Sequence, residues 1–260
     1  MVGAAGRLIL LLTAAPVLAQ LGPELEIRII YDNTSARAGV KEDWGFGALV
    51  TFRGRRVLFD TGTRPDLFLE NVKKLDIDPG SVEQALISHT HPDHRGGVYR
   101  FFSLNPRVRV HFLDQFTSSA FEDARRAGMT PSRVTRPFEL VPGVFSTGTV
   151  EGDPPEQALA IETRQGIVML VGCSHPGVVR MVEAVQRQRK AGSIRLIAGG
   201  FHMFQQRVEE IAPQIARMKE LKVERVIPAH CTGDVAKQMF REAYGTSFDT
   251  AGAGKIITLP

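Results

Sequence analysis

The sequence predicts an α/β protein built from two β-sheets packed together between outer helices. Three observations lead there. Short β-like runs alternate with segments of helical periodicity along most of the chain. Each half repeats strands followed by a helix, so two sheets each need a helical cover. No linker-like or low-complexity tract interrupts residues 20–260, which read as one domain. The chain has 260 residues, 43% hydrophobic and 23% charged, which supports a substantial core and excludes a disordered chain, a collagen-like fibre or a disulfide-dense mini-scaffold.

In chain order, residues 1–19 read as a secretory signal: Arg7, the apolar run Leu8 to Leu12, then Val17-Leu18-Ala19 with small residues at the cleavage positions. The run is too short to span a bilayer, and no twin arginine or following cysteine marks another export route or a lipid anchor. The expectation is an exported protein, periplasmic or secreted, with no stable membrane anchor. Glu26–Tyr31 alternates as a strand. Phe46–Phe52 and Arg56–Asp60 flank Arg53-Gly54-Arg55 as a hairpin. Phe68, Val72 and Leu75 recur at helical spacing, so Pro65–Leu75 is a helix with Pro65 in its first turn. Gln84–Ser88 is a short buried strand, and Val108–Phe112 another. Asp114–Pro142 is polar, holds prolines and reads as irregular, a candidate lid. Ala158–Ile161 and Ile167–Val171 form a second hairpin. Pro176–Arg187 is helical, Ile194–Ala198 a strand, and Val208 to Val223 a helix and its exit. Val226-Ile227-Pro228 is a strand ending at His230, Asp234–Tyr244 a helix and Ile256–Leu259 a last strand.

The net charge of +4 falls to +3 once the segment bearing Arg7 is removed. Its basic runs, Arg53/Arg55/Arg56 and Arg187/Arg189/Lys190, are short and scattered, so no nucleic-acid partner is expected. The seven histidines are more telling, because three of them lie in Ser88-His89-Thr90-His91-Pro92-Asp93-His94-Arg95-Gly96-Gly97. Imidazoles and a carboxylate converging in a tight turn after a buried strand are good ligands for zinc and similar ions. The two cysteines, Cys173 and Cys231, sit beside His175 and His230 and read as thiols near the site, with a disulfide as the lesser reading.

With its HxHxDH run at His89, His91, Asp93 and His94 and the upstream Asp60-Thr61-Gly62, the sequence resembles the metallo-β-lactamase-fold superfamily. It is most similar to the branch named for dihydropterin-methyl-ribofuranosylaminobenzene-phosphate synthase. The matching pieces are Trp44–Ala48, Gly172-Cys173-Ser174-His175, Gly199-Gly200-Phe201-His202 and His230-Cys231-Thr232-Gly233. The resemblance implies an αββα sandwich of two mixed sheets with two divalent ions at one edge, zinc first, manganese or iron as alternatives. One ion would take His89, His91 and His175, the other Asp93, His94 and His230. Asp60 would support the metal loop without being a ligand. Many hydrolases of the superfamily place a bridging aspartate at the end of a mid-chain strand, where this chain has Cys173. A thiolate ligand, a thiol beside the ions and a merely buried residue are all open for it.

Asp93, besides being a candidate ligand, and His202 are the candidate catalytic side chains. His202 is open between ligand, substrate contact, general acid and a hydrogen-bonded neighbour of the ligands. Trp44 and Phe46 either wall a flat substrate or pack in the core. Arg95 is exposed or meets an anionic small molecule, and His111 reads as structural or surface. The function implied is hydrolysis of an ester, lactone, amide or phosphoester by a metal-bound hydroxide. The alternatives are a transferase or synthase of the pterin type, for which export is an awkward setting, and a non-catalytic metal-binding module. A diiron redox role ranks below these, since such members carry an acidic residue where this chain has Thr90.

Overall fold

The structure, a computed structural model, describes residues 22–260. The signal segment expected at residues 1–19 lies outside the described residues. The strands and helices follow in the order β1 (Leu25–Tyr31), β2 (Gly47–Phe52), β3 (Arg55–Phe59), α1 (Pro65–Lys74), β4 (Gln84–Leu86), α2 (Pro92–Arg95), α3 (Val98–Phe102), β5 (Arg109–Leu113), α4 (Ser118–Arg126), β6 (Thr130–Val134), β7 (Phe138–Val141), β8 (Val144–Ser146), β9 (Leu159–Thr163), β10 (Gly166–Val171), α5 (Val178–Arg189), β11 (Leu196–Gly200), α6 (Val208–Glu220), β12 (Val226–Ala229), α7 (Asp234–Tyr244) and β13 (Ile256–Leu259). Among the described residues, no helix is long and apolar enough to cross a membrane.

Two mixed sheets result. One runs β13-β1-β2-β3-β4-β5-β6, antiparallel as far as β3 and parallel from β3 to β6. The other runs β12-β11-β10-β9-β8-β7, parallel across its first three strands and antiparallel thereafter. The hairpin at Arg53-Gly54 turns with φ of 48° and 79° at its two central residues, the mirror-image turn whose twist suits paired strands.

Alternation along the strands sets the layers. Leu25, Ile27, Ile29, Val50, Phe52, Val57 and Phe59 face Val144, Leu159, Ile161, Val168, Leu170 and Ala198 between the sheets. The outer face of the first sheet is covered by Phe68, Val72, Phe101, Phe102 and Phe121 of α1, α3 and α4. The second is covered by Val178, Val182, Ile211, Ile215, Met218 and Phe240 of α5, α6 and α7. Helices outside and two sheets within make the αββα sandwich.

Asp114–Pro142 departs from expectation. It is not an irregular lid: it supplies α4, β6 and β7, the last two being the outer edges of the two sheets. Pro131 is tolerated in β6 because only one side of an edge strand must donate to a ladder. The ligand-bearing segments leave a different place: β4, β10, β11 and β12 all deliver chain from their carboxyl ends, as parallel strands of open α/β sheets do.

Candidate metal centre

Two groups of side chains converge where those strand ends meet. His89, His91 and His175 form one. Asp93, His94, His230 and Cys173 form the other, with the ligand atoms in each group within 4.8 Å of one another. Ring centroids stand 4.8 Å apart for His89 and His91, 4.7 Å for His91 and His175, and 5.0 Å for His94 and His230. Cys173 Sγ lies 3.2 Å from His94 Nε2. The six expected ligands are thus brought together, and Cys173 stands among them rather than behind them.

Local folding explains the loop. β4 ends at Leu86, buried Ser88 follows, and the chain bends at buried His89 and at Thr90. Pro92 opens the single turn of α2, which sets Asp93 and His94 on the inner side. The turn is pressed against the strand β3 exit: Thr61 N donates to His94 O at 2.7 Å and Gly96 N to Gly62 O at 2.8 Å. A Cβ at Gly96 would stand 1.9 Å from Thr63 O, so this approach requires glycine.

Buried polar groups orient the imidazoles. Asp60 accepts from Ser88 N, Ser88 Oγ and His94 Nδ1, each at 2.7 Å. Ser88 Oγ is 2.9 Å from His89 Nδ1, so one carboxylate holds a histidine of each group, His94 directly and His89 through the hydroxyl. Burial pushes the Asp60 pKa well up, against the pull of the Ser88 N–H and O–H groups. On the other side, Asn33 Oδ1 lies 2.9 Å from His230 Nδ1, and Asp32 accepts from His230 N at 2.8 Å. The Gly172–His175 turn is gathered by fully buried Glu156, whose carboxylate accepts from the backbone N–H groups of Gly172, Cys173, Ser174 and His175 at 2.9–3.0 Å. Burial raises the Glu156 pKa to about 7 despite those four donors.

The resulting state fits cations. His89 Nε2 and His175 Nε2 are buried with no hydrogen-bond partner among the described residues, and buried His230 Nε2 has only Asp93 Oδ2, 3.2 Å away. Each such orphan costs about 1–3 kcal/mol unless something occupies it. Burial and neighbouring imidazoles hold the pKa values of His89 and His94 well below the usual range and bring His175 to about 3, keeping these rings in the neutral, ligating form. Burial works against the ionised Asp93, but the hydrogen bond and charge of His230 outweigh it and bring its pKa to about 2.

The remaining candidates separate. Trp44 is 45% exposed at the mouth of the centre, donates Nε1–H to Asp93 Oδ2 at 2.9 Å and lies 4.8 Å from the His230 ring. Phe204, 42% exposed, flanks it at 5.6 Å. Phe46, by contrast, is buried against Phe59 in the core. Arg95 Nε donates to Thr90 O at 2.7 Å and so braces the metal loop. Buried His111 stands at β5, between Gln84 and Ser132. His202 is grouped with Cys173 and Cys231, its ring 4.2 Å from that of His175. Both cysteines are free and buried, which agrees with thiols near the site. Asp32, Asn33, Glu156 and Phe204 escaped sequence reasoning. The polar pair closing the buried strand β1 was a usable signal for the first two, whereas a single glutamate before an apolar run carries none.

A two-sheet sandwich with an HxHxDH turn at its ligand-bearing edge defines a class of metal-centre proteins. The family model of the metallo-beta-lactamase superfamily matches residues 47–182. The chain belongs to that superfamily. It is 29% identical, over 78% of its length and 84% of the relative's, to a 7,8-dihydropterin-6-methyl-4-(beta-D-ribofuranosyl)-aminobenzene-5'-phosphate synthase of Methanocaldococcus jannaschii. Among solved structures it is similar to a metal-dependent hydrolase of the beta-lactamase superfamily, with TM-score 0.73, 27% identity, and 90% of this chain and 99% of that one covered. A metallo-beta-lactamase fold protein from Bacillus subtilis has TM-score 0.68 at 10% identity, with 90% of this chain and 99% of that one covered, a likeness of fold alone.

Proposed function

We propose that the chain is a metal-dependent hydrolase of small-molecule esters, lactones, amides or phosphoesters. Two divalent ions, zinc first, would be held by His89, His91 and His175 and by Asp93, His94 and His230. The observation that carries this reading is the convergence of both groups, with His89 Nε2 and His175 Nε2 buried and unpartnered among them. When bound, such ions lower the pKa of a water towards neutrality and stabilise charge on the substrate oxygens. The chain's own residues do the rest. Asp60, Ser88 and Asn33 fix the imidazole tautomers, Glu156 fixes the turn bearing His175, and Trp44 holds Asp93 in place while presenting, with Phe204, an apolar wall to a substrate.

The likeness to a solved metal-dependent hydrolase supports the reading. The likeness to a synthase favours a second one, transfer chemistry on a phosphorylated pterin-like substrate. Replacement of His91 by alanine is expected to abolish turnover in a screen of esters, lactones and phosphodiesters while the chain stays folded. Full hydrolysis by that variant would overturn the proposal. Release of pyrophosphate from a dihydropterin pyrophosphate, without ester or lactone turnover, would select the synthase, and bound ions with neither activity would select the non-catalytic module. Export remains part of the proposal and rests on the composition of residues 1–19. Amino-terminal sequencing of protein from the exported fraction checks it, with a start after Ala19 expected and an intact Met1 contradicting it.

A further inference from the structure

Beside the two histidine-based groups, and sharing Cys173 with one of them, lies a set of side chains that the proposed hydrolysis does not use. Cys173 follows β10, His202 follows β11 and Cys231 follows β12. These are three adjacent parallel strands, in register at Val171↔Gly199 and Gly200↔Ala229, so residues just past their carboxyl ends are neighbours. The nitrogen of His202 and the two sulfurs lie within 4.8 Å of one another. Cys173 and Cys231 are 2% and 1% exposed.

The close packing is built in. A Cβ at Gly200 would stand 2.6 Å from Cys231 Sγ and 2.5 Å from Gly172 O, so any other residue there would drive the sulfur away from its partners. His202 takes a left-handed backbone, φ 50°, which is costly for a residue with a Cβ and turns its ring inward to the cysteines. Its Nδ1 is buried without a hydrogen-bond partner. Cys231 Sγ is 3.7 Å from Cys173 O and within 4.8 Å of Cys173 Sγ and the His202 nitrogen. Two buried sulfurs and a half-buried imidazole nitrogen within 4.8 Å of one another are soft ligands. Such a set selects thiophilic cations over calcium, magnesium or manganese.

We propose that Cys173, His202 and Cys231 form a third cation position, for a soft thiophilic ion, sharing Cys173 with the group of Asp93, His94 and His230. This position does not depend on the chain being a hydrolase. Binding releases the thiol protons, if still present, to solvent, and needs no oxidant or reductant.

The probe is cadmium alone, added to the zinc-loaded full chain under a thiol-free reductant. The readouts are bound metal and the ultraviolet charge-transfer absorption of thiolate–cadmium bonds. The expected result is one further equivalent of metal per chain with absorption from two thiolates. Cys231→Ser should halve that absorption and weaken the additional ion by more than about tenfold, the least that partners of a metal site commonly contribute. His202→Asn should keep the two-thiolate absorption at lower affinity, which preserves the test should the serine variant fail to fold. Undiminished absorption in a folded Cys231→Ser chain would place the cadmium on Cys173 within the histidine-based groups and overturn the proposal. So would the absence of an additional equivalent in the unaltered protein. Neither readout involves turnover, so failure of the hydrolase reading leaves the test intact.

Discussion

Asp60→Asn is expected to weaken both ions at once. The carboxylate has three donors to satisfy: Ser88 N on Oδ1, and Ser88 Oγ with His94 Nδ1 on Oδ2, each at 2.7 Å. An asparagine offers one acceptor oxygen and one amide. With its oxygen towards Ser88 N, the amide meets His94 Nδ1 and Ser88 Oγ. His94 must then accept at Nδ1 and carry its proton on Nε2, the nitrogen that faces the centre. Ser88 Oγ must also accept, which leaves its hydrogen for His89 Nδ1 and shifts the His89 proton to Nε2 as well. With the amide turned the other way, it confronts Ser88 N–H, leaving that buried donor unpaired at about 1–3 kcal/mol. Loss of a group that orients a ligating imidazole costs about 10–100-fold in metal affinity, or about 1.4–2.8 kcal/mol. Because Asp60 governs one histidine in each group, both affinities should fall by that factor. Ser88→Ala removes only the relay to His89 and should weaken one ion alone. Zinc competition against a chromophoric chelator, with circular dichroism to confirm folding, measures both variants. A folded Asp60→Asn chain binding two ions as tightly as the unaltered protein would refute the reasoning.

Three further outcomes follow from the same physics. Glu156→Gln retains an acceptor for three of the four backbone N–H groups but sets an amide against His175 N–H, so denaturant midpoints should report a loss of about 2–3 kcal/mol; an unchanged midpoint contradicts the role given to Glu156. Burial lowers the His111 pKa from 6.5 to about 4, so its contribution is fully present above pH 6.5 and lost as pH falls towards 4. His111→Phe should therefore remove up to about 3 kcal/mol of the acid sensitivity in that window, and parallel stability–pH curves for the two proteins would exclude it. Trp44, the chain's single tryptophan, is bonded to Asp93 and stacked edge-on at His230, so zinc should change its emission saturably and His94→Ala should blunt the change; ions binding by elemental analysis with unaltered emission would contradict this geometry.

Where periodicity and turn chemistry agreed, elements were legible to the residue. Asp234–Tyr244 and Ile256–Leu259 are helix and strand as read, and the hairpin about Gly54 stands. The polar stretch after Asp114 was not legible, because its strands β6 and β7 are edge strands with exposed residues and a tolerated proline, and their strand character comes from the neighbours they pair with. In the site, the ligands announced themselves because histidines at such spacing are rare for other reasons. Of their supports, Asp60 came with the resemblance, but Glu156 and Asn33 did not: they act on groups far along the chain, and a buried polar residue looks like an exposed one until the fold shows what surrounds it. His202 and Cys231 were visible as motif residues, but their grouping with Cys173 appears only once three strand ends are laid side by side.

The central claim is that His89, His91, Asp93, His94, His175 and His230 hold two ions that support hydrolysis. Elemental analysis of the purified chain, before and after chelation, together with ester and phosphoester turnover on the same samples, tests it most directly. Two divalent ions bound with turnover, both lost together on chelation and restored by zinc, is the expected result. Hydrolysis that persists in metal-free protein, or a chain that binds no divalent ion at these residues, would contradict it.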